Sequence, residues 1–132
     1  MTLAIDRIDH IVLNCADPDR TIAWYRKVLG MAAESYGDGR TALVFGQQKF
    51  NVRPTQTANW KTCKVDMPGA IDLCFITKSS PEQVLDHFHA CEVAGISGPV
   101  TRSGALGPIV SVYCNDPDGN LIEVASYVAH ER

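Results

Sequence analysis

No CxxC pair occurs in this chain, and its five cysteines, Cys15, Cys63, Cys74, Cys91 and Cys114, are odd in number and scattered. That excludes a disulfide framework and a structural zinc site of the usual spacing. Cys74 and Cys114 lie within apolar runs and read as small core residues. Basic runs are also missing: 12 Lys+Arg are interspersed with 15 Asp+Glu for a formal charge of −3, so nucleic acid is not an expected partner. No apolar stretch approaches the roughly 18 residues that a membrane-spanning helix needs. Asp6, Arg7 and Asp9 interrupt the N-terminal segment where a secretory signal would need its apolar core. The expectation is a cytoplasmic protein with a small-molecule partner and no membrane contact. With 132 residues and 45% apolar composition the chain suits one domain that folds without staples.

What is present is a duplication. Residues 8–13 are β-branched and short, as in a strand. Asp17-Pro18 then offers a helix N-cap with proline at the first helical position. Ile22, Tyr25, Val28 and Leu29 recur at helical spacing, and Gly30 supplies a stop. Residues 41–45 and 49–53, around a turn at Gly46, Gln47 and Gln48, read as a hairpin. The second half repeats the order. Residues 70–76 form a strand, Ser80-Pro81-Glu82-Gln83 is a capping box, and Val84, Leu85, Phe88 and Cys91 make an apolar helix face that Gly95 would close. Residues 109–114 and 121–127 are strands joined by Asp116, Pro117, Asp118, Gly119 and Asn120, a strong turn signal. The fold class predicted is α+β, two tandem βαβββ modules forming a curved, half-open mixed sheet around a cleft. The modules span about 5–53 and about 70–128, with a linker at about 54–69, within a single domain of 1–132.

Superimposing the halves pairs His10 with Asp72 and Asn51 with Glu123. All four interrupt otherwise apolar strands, where a lone carboxylate costs several kcal/mol to desolvate unless paired or bound to a cation. Taken singly, each has a plain structural reading: a hydrogen-bonded strand histidine, an aspartate on a wetted face, an amide satisfied by backbone. Glu123 resists that reading most, because Leu121 and Ala125 share its face. Together, one imidazole and two carboxylates suit zinc, nickel, cobalt, manganese or iron(II). The Asn51 amide oxygen is then a weak fourth ligand or a cleft residue. His87 and His89 point about 200° apart on a helix and cannot share an ion. His130 lies in a polar tail, and Lys49, Arg53 and Arg102 are read as solvated charges.

Asp9-His10-Ile11-Val12-Leu13, the pair Trp24-Tyr25 before Val28-Leu29-Gly30-Met31, and the closing Asp116-Pro117-Asp118-Gly119-Asn120-Leu121-Ile122-Glu123 together resemble the vicinal-oxygen-chelate superfamily. That superfamily includes glyoxalase I, bleomycin-resistance proteins and extradiol dioxygenases. The stretch 98–109 is similar to small glyoxalase-domain, lactoylglutathione lyase-like proteins. The resemblance covers nearly the whole chain and implies metal ligands at His10, Asn51, Asp72 and Glu123. Two positions depart from the glyoxalase pattern, which has a carboxylate at 51 and a histidine or glutamine at 72. Dioxygenases have histidine at 72, so their iron triad is incomplete here.

The resemblance implies a glyoxalase I-like lyase or isomerase in which a divalent ion chelates vicinal oxygens and stabilises an enediolate, with Glu123 as ligand and catalytic base. The alternative is a metal-free module that sequesters a small molecule in the manner of the bleomycin-resistance proteins; an extradiol-type dioxygenase comes third. A homodimer is also expected, with Trp24, Trp60 and Tyr127 as candidate contacts.

Overall fold

The computed structural model describes residues 2–128; His130 lies outside them. The chain divides into two compact units at Met67/Pro68. In the first, β1 (His10–Cys15), α1 (Pro18–Leu29), β2 (Ala32–Tyr36), β3 (Arg40–Phe45) and β4 (Gln48–Pro54) follow in order. In the second come β5 (Asp72–Ile76), α2 (Pro81–Ala90), β6 (Ala94–Gly104), β7 (Gly107–Asn115) and β8 (Leu121–Tyr127). Each unit is a βαβββ module with a four-stranded mixed sheet, ordered β1-β4-β3-β2 and β5-β8-β7-β6. Neither sheet is closed. Among the described residues no helix is long and apolar enough to cross a membrane.

Both helices start where their caps predict. The Asp17 side chain accepts from the Arg20 N–H, Pro18 opens the first turn, and Gly30 ends the helix in the left-handed region at φ 66°. Ser80 and Gln83 exchange the two hydrogen bonds of a capping box. α1 buries Tyr25 and Val28 against the face of the first sheet that carries Leu13, Leu43, Phe50 and Val52, with Tyr25 edge-on to Phe50 at 5.9 Å. In the second unit Val84 and Phe88 of α2 are buried, as are Val112, Cys114, Ile122 and Val124 on one face of the sheet.

Several boundaries differ from the sequence expectation. β1 begins at His10 rather than Ile8, because its parallel partner β4 begins at Gln48 and leaves nothing upstream to pair with. Ile8 is 65% exposed. β5 likewise begins at Asp72, opposite Leu121, not at Ala70. Gly95 does not close α2. The helix ends at Ala90 with Cys91 as cap, and Gly95 lies in β6, where a Cβ would meet the Asn115 side chain. β2 and β6 carry no distinct apolar alternation; they are the outermost strands of the βββ runs, largely exposed. Cys114 is buried as expected, but Cys74 is exposed on the edge strand β5 and is no core residue.

The linker folds back on the first sheet. Arg53, expected to be a solvated charge, is only 4% exposed. Its Nη1 donates to Asn14 Oδ1 (2.9 Å) and Asp66 Oδ2 (2.7 Å), and its Nη2 to the Thr57 carbonyl (3.0 Å). Arg40 stacks on the Trp60 ring at 3.9 Å from its centroid. The long guanidinium reaches one acceptor on β1 and two in the linker, which satisfy Nη1 and Nη2, while its buried Nε has no hydrogen-bond partner.

Candidate functional site

The predicted pairing of the halves is reproduced in the strand registers. In the first sheet His10 lies opposite Lys49 and Val12 opposite Asn51. In the second Asp72 lies opposite Leu121 and Cys74 opposite Glu123. Strand residues two apart share a face, so His10 and Asn51 share one face of their sheet, and Asp72 and Glu123 share one face of theirs. In each sheet the two donors stand on adjacent parallel strands, offset by two residues.

His10 is exposed, at the first position of β1. Its Nδ1 lies 2.8 Å from Asp9 Oδ2. A carboxylate can only accept, so Nδ1 carries a proton, and in the neutral ring the lone pair is on Nε2. This is how metal-binding histidines are commonly oriented. The same contact with His10 holds the Asp9 carboxyl below its ordinary range.

Asn51 is 8% exposed, and its Oδ1 has no hydrogen-bond partner. Its neighbours in register are Val12 on β1 and Ala42 on β3, neither of which can donate. Buried polar atoms are nearly always satisfied, so this unmatched acceptor stands out, as do Thr21 Oγ1, Tyr36 Oη and Arg53 Nε elsewhere in the first unit.

Asp72 is exposed at the start of β5. Glu123 is half-buried between Cys74 and Tyr113 in register, and the Ser111 hydroxyl donates to its Oε2 at 2.5 Å. Partial burial, then the charge of Glu123 beside it, pushes the Cys74 thiol up to about 11, so it stays protonated near neutral pH. Arg102 donates from Nε to the Tyr113 hydroxyl (3.1 Å).

The Asp116–Asn120 turn sets the positions of both carboxylates. Asp116, 4% exposed, accepts through Oδ1 from the backbone N–H of Asp118 and Asn120 (3.0 and 2.9 Å), and through Oδ2 from Asn120 Nδ2 (2.7 Å). Asn120 Oδ1 then accepts from the Ile71 N–H (3.0 Å), immediately before Asp72. The Leu121 N–H returns a bond to the Ile71 carbonyl (3.0 Å), two residues before Glu123. Gly69 is required alongside: a Cβ there would stand 2.4 Å from the Asp118 carbonyl oxygen.

An imidazole nitrogen, two carboxylates and an amide oxygen are donor types that divalent ions accept. Here they are divided two and two between the units, and among the described residues no group of three or more His, Cys, Asp or Glu gathers at one place. His87 and His89 are exposed on α2, with His87 Nε2 3.6 Å from the Cys91 sulfur. Two partners of the candidate residues were not singled out from sequence: Asp9, which contacts His10, and Ser111, which donates to Glu123. The signal for Ser111 was a lone hydroxyl in the apolar run Ile109-Val110-Ser111-Val112.

The model of the Glyoxalase/Bleomycin resistance protein/Dioxygenase superfamily matches residues 7–124. The chain belongs to that superfamily. It is 42% identical over 126 residues to virulence protein STM3117 of Salmonella typhimurium, across 96% of this chain and 88% of that protein. It is 30% identical over 127 residues to a lactoylglutathione lyase of Neisseria meningitidis, across 89% and 88%. Among solved structures, a protein from the mobile metagenome of V. Pseudocholerae superimposes with a TM-score of 0.94 at 42% identity, covering 98% of this chain and all (100%) of that one.

Proposed function

We infer that the chain is a glyoxalase I-like, metal-dependent lyase or isomerase acting on a small substrate with vicinal oxygens. The observation that carries this reading is the matched register, which sets one donor at the head of β1 and of β5 and a second two positions along on the adjacent strand. The 30% identity to a lactoylglutathione lyase supports it. In this reading the two modules work as one domain, and the chain acts in the cytoplasm as a homodimer.

His10 Nε2, Asp72 and Glu123 would hold a divalent cation, with Asn51 Oδ1 as a weak fourth ligand. The ion would supply Lewis acidity toward the neighbouring oxygens of the substrate and so acidify the adjacent C–H. Glu123 accepts and returns the proton, because an amide at 51 has no basic site. Asp9 keeps His10 in one tautomer.

The second reading is a binding module without chemistry. It is favoured by the unmatched Asn51 Oδ1, which suits a hydrogen bond from a ligand hydroxyl or N–H as well as it suits a cation.

Nickel titration of the protein, with His10→Ala and Glu123→Gln beside it, tests the first reading. Stoichiometric binding is expected, weakened in both variants, together with turnover of the methylglyoxal–glutathione hemithioacetal or a related 2-oxo substrate. Binding unaffected by either substitution removes this ligand set. Absence of binding at micromolar metal leaves the binding module. A monomeric mass by light scattering removes the homodimer.

A further inference from the structure

Ser111 is fully buried (0% exposed) in β7, and its hydroxyl donates to Glu123 Oε2. The contact runs diagonally across the sheet face. Ser111 pairs with Ala125, while Glu123 pairs with Tyr113. Diagonal neighbours stand about 7–8 Å apart at Cα, so the hydroxyl meets the carboxylate only if the side chains lean toward each other. Alanine at 125, directly opposite Ser111, has nothing beyond Cβ to intervene. The backbone under Ser111 is held as well. A Cβ on Gly98 (φ 101°) would stand 2.6 Å from the Ser111 carbonyl oxygen and 3.3 Å from Val112 Cα. β6 therefore passes the strand that carries the hydroxyl at a distance only glycine permits. The other sheet has no such arrangement, since Asn51 is flanked by Val12 and Ala42 and its oxygen is unmatched.

We propose that Ser111 is a positioning residue for Glu123: its hydrogen bond to Oε2 fixes the plane of the carboxylate, so that the remaining lone pairs meet a divalent cation in one orientation. This rests on the reading of Glu123 as a ligand. A carboxylate on a flexible stem loses side-chain entropy when it binds an ion. A partner that has already ordered it removes part of that cost, and loss of such outer partners typically weakens metal affinity by about 10–100-fold.

The test is a cobalt(II) titration, read by affinity and by the visible absorption of the bound ion, on wild type, Ser111→Thr, Ser111→Val and Glu123→Gln. Thr and Val have nearly the same shape and crowd the buried site equally, but only Thr keeps the hydroxyl. Ser111→Thr is expected to bind cobalt as wild type does. Ser111→Val is expected to bind at least about tenfold more weakly, with altered band intensities. Ser111→Ala, which adds no bulk, should follow Val and serves if the larger variants melt early. Equal binding by the hydroxyl-bearing and hydroxyl-free variants, with Glu123→Gln impaired, overturns the positioning role and leaves the reading of Glu123 standing. Equal binding by wild type and Glu123→Gln overturns both.

Discussion

Asn51 holds the slot in its sheet that Glu123 holds in the other: Asn51 pairs with Val12 and Ala42, Glu123 with Cys74 and Tyr113. The backbone is the same and the surroundings are not. Glu123 has a hydroxyl aimed at its carboxylate, whereas the two side chains directly opposite residue 51, Val12 and Ala42, are apolar and cannot donate. A neutral amide tolerates that setting far better than an unpaired carboxylate does.

Asn51→Asp restores a carboxylate to the slot without giving it a donor. The metal-free variant is expected to lose about 2 kcal/mol in urea denaturation at pH 8. Burial raises the folded-state pKa of the new carboxyl above its unfolded value, so the loss should shrink as pH falls toward 5. On the proposed ligand set, added nickel should recover the stability, because a bound cation would neutralise the charge. A loss that is independent of pH and metal would mean the side chain at 51 faces no charge-sensitive site.

Asn120→Ala should loosen two carboxylates it does not touch. Asn120 is 0% exposed and joins Asp116 to the Ile71 N–H. Its truncation leaves a buried N–H and part of a carboxylate unmatched, at a cost of about 2–4 kcal/mol. Urea denaturation measures the cost. Faster amide exchange at Ile71 and weaker metal binding should accompany it, since the entry of β5 and the start of β8 are joined there.

Arg53→Met should free the linker. The variant removes a buried guanidinium from three acceptors, with an expected loss of about 3 kcal/mol and new proteolytic cleavage between residues 55 and 67. The Asp66 carboxyl also carries a pH signature. The hydrogen bond from Arg53, then one from the Gln56 backbone, holds it below its ordinary value of 3.8. Its contribution is fully present above that value and is lost as pH falls through the lower, folded-state value. Asp66→Asn should therefore flatten the decline in melting temperature below about pH 4.

The helices and the duplication were legible because their causes are local. Asp17-Pro18 and Ser80-Pro81-Glu82-Gln83 satisfy the first N–H groups of a helix using residues three apart, whatever surrounds them. The equivalence of His10 with Asp72 and of Asn51 with Glu123 was legible because a polar residue in an apolar strand stands out and recurs in the second half. The starts of β1 and β5 were not, since a strand ends where its partner ends, and the partners Gln48 and Leu121 lie about forty to fifty residues downstream.

By itself the sequence determined the βαβββ order, the two caps, the closing turn and the equivalence of His10 with Asp72 and of Asn51 with Glu123. Each follows from spacing along the chain and from the chemistry of single residues. Tertiary structure alone decided that Arg53 is buried, that Cys74 is exposed, that Asn51 Oδ1 is unmatched and that Ser111 holds Glu123. Burial and hydrogen-bond partnership depend on which strand lies beside which and in what register, and on what a returning linker covers. Those pairings join residues far apart in the chain, so no local pattern encodes them.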